Sequence, residues 1–95
     1  MAAYLVVDID VTDPAQFEEY KKLAPAAIAK YGGRYLIRGG AYEAIEGNWN
    51  PQRLTVVEFD SMEKAKAFYH SPEYQAAIKA RFGAATMKML LVQGI

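Results

Sequence analysis

The chain has 95 residues, enough for one small domain and too few for a second. Hydrophobic residues make up 53% of it and charged residues 23%, which is typical of a folded globular protein and unlike a disordered one. Eleven basic and eleven acidic side chains cancel, so no net charge would attract the protein to nucleic acid or to an anionic membrane surface.

The lack of cysteine excludes several kinds of site, and the N-terminal residues give no sign of a secretory signal. Without cysteine the chain can form no disulfide, no thiolate metal site and no cysteine nucleophile. The first ten residues, MAAYLVVDID, reach an acid at Asp8 and lack the basic and apolar stretches of a secretory signal. No apolar run approaches the roughly 18 residues that span a bilayer. We therefore expect one cytoplasmic domain over residues 1–95, with no membrane partner.

The N-terminal part of the chain predicts a strand followed by a helix. Residues 4–11 are apolar and β-branched on both faces, which suits a central strand covered on both sides. Asp13 is the expected N-cap of the helix, with Gln16 as its capping-box partner. Apolar residues then recur at three- and four-residue steps on one face. Pro25 should kink this helix, and the glycines at 32–33 should end it.

The middle of the chain predicts a hairpin. Residues 34–47 are interpreted as a long strand with a bulge or bend at the glycine pair 39–40. Residues 47–52 form a turn-rich loop that carries the single tryptophan, Trp49. The chain is then expected to return as a strand over residues 53–59.

The C-terminal part predicts two helical segments and a last strand. Ser61 is the expected cap of the first segment, while Pro72 interrupts the helix and Ser71 can cap the second segment. The second segment is expected to bury Phe82 before a glycine ends it. Residues 86–93 have the alternation of a strand.

The order of strand, helix, strand, strand, helix, strand predicts an α+β fold of the ferredoxin-like βαββαβ type. Right-handed crossovers place both helices on one face of an antiparallel sheet and leave the other face bare. The predicted central strands, residues 4–10 and 53–59, nevertheless carry apolar side chains on both faces. An exposed apolar sheet of this size marks an interface, so we expect a homodimer with the two sheets face to face.

Three polar side chains of the predicted strands are candidates for chemistry. Asp8 and Glu58 lie on neighbouring central strands, where paired carboxylates can form an acid/base couple, although both could stay solvated near the strand ends. Arg38, expected on the same face as Leu36, could pair with Glu58 or hold a substrate carboxylate. A structural ion pair explains Arg38 equally well.

Aromatic side chains and the single histidine are further candidates. His70 is the natural general acid/base, but its place at a helix break explains it without chemistry. It has no histidine, cysteine or spaced carboxylates beside it for a metal site. Tyr20 could line a cleft or simply pack in the core. Trp49 and Arg53 could close over a ligand, although contact with a partner subunit or local packing is the preferred interpretation.

Five blocks of sequence, in this order and across nearly the whole chain, resemble the domain of unknown function 1330 family: DPAQFEEY, YGGRYLIRGG, EGNW, RLTVVEF and FYHSPEYQAAIKAR. The resemblance implies a ferredoxin-like domain of the dimeric α/β-barrel superfamily that forms homodimers, and it implies no established activity. The family's pattern matches this sequence at Tyr20, Arg38, Gly39, Gly40, Trp49, Glu58, Ser71, Pro72, Tyr74 and Arg81. His70 is not part of that pattern.

Related families of the superfamily include cofactor-independent monooxygenases, muconolactone-type isomerases and haem-binding enzymes, an analogy at the level of the fold. We expect a small homodimeric enzyme that acts on an anionic or aromatic metabolite without cofactor or metal. The expected catalytic residues are Arg38, Glu58 and His70, and the expected substrate-binding residues are Tyr20, Trp49, Tyr74 and Arg81. The alternative is a non-catalytic dimer that binds a small molecule or regulates in response to it.

Overall fold

The computed structural model describes residues 1–95 and contains four strands and three helices. In chain order they are β1 Ala3–Val11, α1 Pro14–Lys30, β2 Arg34–Arg38, β3 Leu54–Phe59, α2 Met62–Tyr69, α3 Pro72–Arg81 and β4 Ala85–Gln93. The strands form one antiparallel sheet in the order β2-β3-β1-β4, and the helices pack on one face of it. The fold is therefore the expected ferredoxin-like α+β arrangement, with its second helix divided in two. None of the helices has the length and apolar character that crossing a bilayer requires.

The start of α1 is capped as predicted, but its glutamine has a different role. The Asp13 carboxylate accepts a hydrogen bond from the Gln16 backbone N–H at 3.2 Å. The Gln16 side-chain amide does not return to the cap; it donates to the carbonyls of Ala80 and Phe82 at 3.2 and 2.7 Å. These two bonds join the beginning of α1 to the end of α3. The helix runs without a break through Pro25, so the proline does not divide it.

The break between α2 and α3 is built by Ser71. Its hydroxyl donates to the Phe68 carbonyl at 2.6 Å and accepts from the Tyr74 N–H at 3.1 Å, so one side chain ends α2 and caps α3. Ser61 caps α2, as predicted, because its hydroxyl oxygen accepts a hydrogen bond from the Lys64 N–H. The expectation that Phe82 is buried is wrong: α3 ends one residue earlier, and the ring is 83% exposed.

The second strand is much shorter than predicted. It ends at Arg38 because Gly39 adopts a left-handed φ of +68°, which turns the chain away from the ladder with β3. Residues 39–53 then form a loop without helix or strand. Within β2, Tyr35 pairs with Val57 and Ile37 with Val56, so Leu36 is an extra residue and forms a bulge.

The two faces of the sheet differ as the sequence predicted. The helix-facing side holds a buried core that includes Leu5, Val7, Ile9, Thr55, Val57 and Phe59. The other side, which we call the open face, has apolar side chains with no cover. Among them, Leu90 is 67% and Val92 46% exposed.

Candidate functional site

A cavity of about 90 Å³, here called the α1 cavity, lies between α1, the start of α3 and the helix-facing side of the sheet. Its floor is formed by core residues such as Val7 and Val57, and its walls include the rings of Phe17, Tyr20 and Tyr74. An apolar cavity of about 150 Å³ is enough to hold benzene. The α1 cavity therefore has room for a short chain or part of a ring.

One polar feature at the wall of this cavity is a pair of hydrogen-bonded tyrosines. The periodicity of α1 turns Tyr20 inward, and the Ser71 cap fixes the first turn of α3, which carries Tyr74. Their buried hydroxyl oxygens are 2.8 Å apart. Because one hydroxyl donates to the other, one O–H of the pair is left free to donate to a ligand.

Burial controls how these tyrosines ionise. It raises the pKa of Tyr20 well above its usual range, and the nearby Tyr74 raises it further. Burial also raises the pKa of Tyr74, but the hydrogen bond from Tyr20 and the positive charge of Arg81 oppose that rise. Both groups are therefore neutral hydrogen-bonding groups near neutral pH.

Cations surround the mouth of the α1 cavity. The Leu36 bulge places Arg38 on the helix-facing side, where its guanidinium carbon lies 4.2 Å from the centre of the Tyr35 ring. Arg53 and Lys21 also line the cavity, and no acidic residue does. Lys21 has an exposed ion pair with Glu18 on its own helix, whereas Arg38 and Arg53 have none. The site thus presents positive charge to an incoming ligand.

Arg81 lies behind the tyrosine pair, near the end of α3. Its guanidinium carbon is 5.7 Å from the centre of the Tyr20 ring. Its Nε is buried and has no hydrogen-bond partner. Arg81 does not line the α1 cavity; it lies in a second cavity, beneath α2, together with His70.

The expected partnership of Arg38 with Glu58 is not formed, because the two side chains lie on opposite faces of the sheet. Glu58 is on the open face, where it makes an ion pair with Arg34 and its side chain is 14% exposed. Its hydrogen bond and its negative charge raise the pKa of Tyr4. Arg38 lies on the other face because the bulge reverses the alternation that would have placed it with Leu36.

The expected couple of Asp8 and Glu58 is also absent. Glu58 is the register partner of Tyr4, whereas Asp8 is the partner of Leu54, four residues further along β1. At roughly 3.3 Å per residue the two carboxylates are separated by about 13 Å. Asp8 has a structural role instead: its carboxylate accepts hydrogen bonds from the N–H groups of Gln52 and Arg53, at 2.9 and 3.4 Å, and fixes the end of the loop.

Two further candidates lie outside the α1 cavity. His70 ends α2 as its C-cap, is exposed, and packs edge-on against Tyr69 with ring centres 5.3 Å apart. Trp49 lies on the loop, is 63% exposed and lines neither cavity. The structure therefore does not bring Arg38, Glu58 and His70 together.

Of the expected substrate-binding residues, Tyr20 and Tyr74 do meet at the α1 cavity, and Arg38 joins them there. Sequence reasoning missed Lys21 and Tyr35. Lys21 lies four residues after Phe17 on α1, so the helix period alone could have placed it at the edge of the same site. No group of three histidine, aspartate or glutamate side chains lies together as a metal site would need.

The chain belongs to the domain of unknown function family DUF1330, whose family model matches residues 2–95. This confirms the resemblance found in the sequence. No curated protein has a sequence that matches the chain.

Solved structures share the fold at low sequence identity. A protein of unknown function from Rhodopseudomonas palustris is 14% identical, with a TM-score of 0.75 over 99% of this chain and 82% of its own. SnoaB, a cofactor-independent oxygenase from Streptomyces nogalater, is 15% identical, with a TM-score of 0.67 over 99% and 93%. A dimeric ferredoxin-like protein of unknown function from Bacteroides fragilis is 16% identical, with a TM-score of 0.63 over 98% and 96%. These similarities establish the fold alone.

Proposed function

We propose that this protein binds a small planar carboxylate in the α1 cavity and converts it without a cofactor. The observation that carries the proposal is a small apolar cavity whose mouth has three cations and no acid. A guanidinium is suited to a carboxylate because its planar fork offers two parallel N–H donors. Arg38 stacks on Tyr35 and has no ion pair, so it is free to bind such a group.

The size of the cavity determines how such a ligand would lie. A cavity of about 90 Å³ accepts the apolar end of the molecule, and the carboxylate stays at the mouth beside Arg38 and Arg53. The tyrosine pair at the cavity wall has one O–H that is free to donate. It can donate to an oxygen on which negative charge develops, the role of an oxyanion-stabilising donor.

The similarity in fold to SnoaB, described as a cofactor-independent oxygenase, supports chemistry of this general kind at the level of analogy. One observation favours the alternative, a protein that binds the molecule without changing it. The α1 cavity contains no histidine and no carboxylate, so its neutral proton donors and acceptors are hydroxyl groups, those of the tyrosine pair, Tyr35 and Thr55.

Isothermal titration tests the anion claim with benzoate as the probe and benzamide as its neutral counterpart. Benzoate should bind more tightly, and Arg38→Gln should weaken it about ten- to a hundredfold, since a charge-assisted hydrogen bond contributes about 1.5–3 kcal/mol. Arg34→Gln is the matched control, because Arg34 lies on the same strand but on the open face. Equal binding of the two probes, or equal losses in the two variants, would overturn the proposal.

Turnover separates the enzyme from the binding protein. Hydroxylated aromatic carboxylates that bind are incubated with the protein in air and under argon, and products are followed by mass spectrometry. A product that Tyr74→Phe no longer forms supports the enzyme. Binding without product, for every compound that binds, supports the alternative.

We also propose that the chain forms a homodimer through the open face. Leu90 and Val92 are exposed there, and the similar protein from Bacteroides fragilis is described as dimeric. Light scattering at micromolar concentration should give twice the mass of the chain. Leu90→Lys should give the monomer, while Phe82→Lys, at a still more exposed position outside the open face, should stay dimeric. A wild-type monomer would refute this arrangement.

A further inference from the structure

A second cavity, here called the α2 cavity, lies between α2, the end of α3 and strands β1 and β4. Its volume is about 360 Å³, within the range of about 300–1,000 Å³ that is usual for ligand sites. Its floor is aliphatic and includes Leu5, Met87, Met89 and Leu91. Methionine is flexible and fills irregular space, so this floor can adapt to a chain more readily than to a rigid ring.

Basic side chains form part of the remaining wall. Lys66, His70 and Arg81 line the α2 cavity, no acidic residue lines it, and none of these three side chains has an ion pair. The Nε of Arg81 is buried without any hydrogen-bond partner. Because the Nε is closed off, a carboxylate in the cavity would bind the other N–H groups of the Arg81 guanidinium, beside Lys66 and His70.

We infer that the α2 cavity is a separate binding site for an aliphatic carboxylate, whose head group binds Arg81 and whose chain lies on the aliphatic floor. The two cavities share Leu5 and Met89, but the α1 cavity has five aromatic rings, from Phe17, Tyr20, Tyr35, Phe68 and Tyr74, whereas Tyr69 is the only benzene ring at the α2 cavity. The inference does not depend on the proposed function, because Arg81, Lys66 and His70 do not line the α1 cavity.

Octanoate is the probe, and octanol, which has the same chain length without the charge, is its comparison. Octanoate should bind the full chain in isothermal titration at least tenfold more tightly than octanol. Arg81→Gln should weaken octanoate binding at least tenfold. Lys79→Gln is the matched control, because Lys79 is an exposed cation of the same helix that lines neither cavity, and it should bind octanoate like the wild type.

Arg81 also lies near the tyrosine pair, so its variant could fail to fold. The double variant Lys66→Gln with His70→Gln changes only exposed side chains and should still lower octanoate affinity severalfold. The site is refuted if octanol binds as well as octanoate, or if both Arg81→Gln and the double variant bind like the wild type. Benzoate added in excess should leave octanoate binding unchanged; competition between them would show a single site and overturn the inference, whatever the outcome for the α1 cavity.

Discussion

Replacing Tyr74 by Phe tests whether the tyrosine pair is a structural unit as well as a polar group of the site. The substitution removes one oxygen and keeps the ring, which packs 4.5 Å from the ring of Phe68 between centres. It leaves the Tyr20 hydroxyl buried without the partner that now lies 2.8 Å away. The change therefore isolates one hydrogen bond at almost constant shape.

The expected loss of stability follows from that unpaired hydroxyl. Leaving a buried polar group without a partner costs about 1–3 kcal/mol, whereas removing both partners together can be nearly neutral. Tyr74→Phe and Tyr20→Phe should each lower the free energy of unfolding by about 1–3 kcal/mol, or about 4–8 °C in midpoint temperature per kcal/mol for a domain of this size. The double variant should lose less than the sum of the two.

Urea unfolding followed by circular dichroism measures the four proteins of this double-mutant cycle. All four are compared at one protein concentration, since a dimer would make stability depend on concentration. We expect a coupling of about 1 kcal/mol between the two hydroxyls. Additive losses would refute the reasoning, because they would show that the hydroxyls do not interact in the folded protein.

Three other substitutions or conditions give clear expectations. Gly33→Ala should cost about 1–3 kcal/mol, because a Cβ there would lie 2.7 Å from the Phe59 ring, while Gly40→Ala, with nothing within 4 Å, should be close to neutral by the same urea assay. Glu73 has its pKa lowered chiefly by its hydrogen bond with Lys30, so it stabilises the folded state at neutral pH and loses that effect as the pH falls through the acid range. The difference in free energy of unfolding between the wild type and Glu73→Gln should therefore shrink on acidification. A difference that stays constant with pH would contradict this role of Glu73. The buried tyrosines have raised pKa values, so stability should fall as the pH rises above about 10, and replacing both by Phe should make that fall less steep in urea titrations.

The fold could be predicted because its signals are local and independent of one another. The Asp13, Ser61 and Ser71 caps mark the helix starts, and alternation along β1 and β3 gives both faces of the sheet. The length of β2 could not be predicted, because residues after Gly39 have strand-like composition but no partner strand. Pairing is a tertiary property that propensity does not contain.

The candidate site was harder to predict because one extra residue in β2 decides on which face of the sheet Arg38 lies. Regular alternation along β2 places Arg38 on the face of Leu36, beside the ion pair of Arg34 with Glu58. The bulge at Leu36 transfers Arg38 to the face of Tyr35. A shift of one residue moves a side chain to the opposite side of a sheet, so a candidate pair derived from alternation fails completely when a bulge is missed.

The same division of faces explains why a net charge of zero is compatible with the proposed carboxylate ligands. Two acids lie away from the cavities. Glu58 is on the open face and forms an ion pair with Arg34, and the Asp8 carboxylate binds the backbone at the end of the loop. The cations that line the two cavities are all on the helix-facing side, and no acid lines either cavity. A chain can therefore be neutral as a whole and still have cations without acids around its cavities. The absence of a net charge argues against long-range attraction to a polyanion, but it says nothing against a small carboxylate that meets only the cations around a cavity.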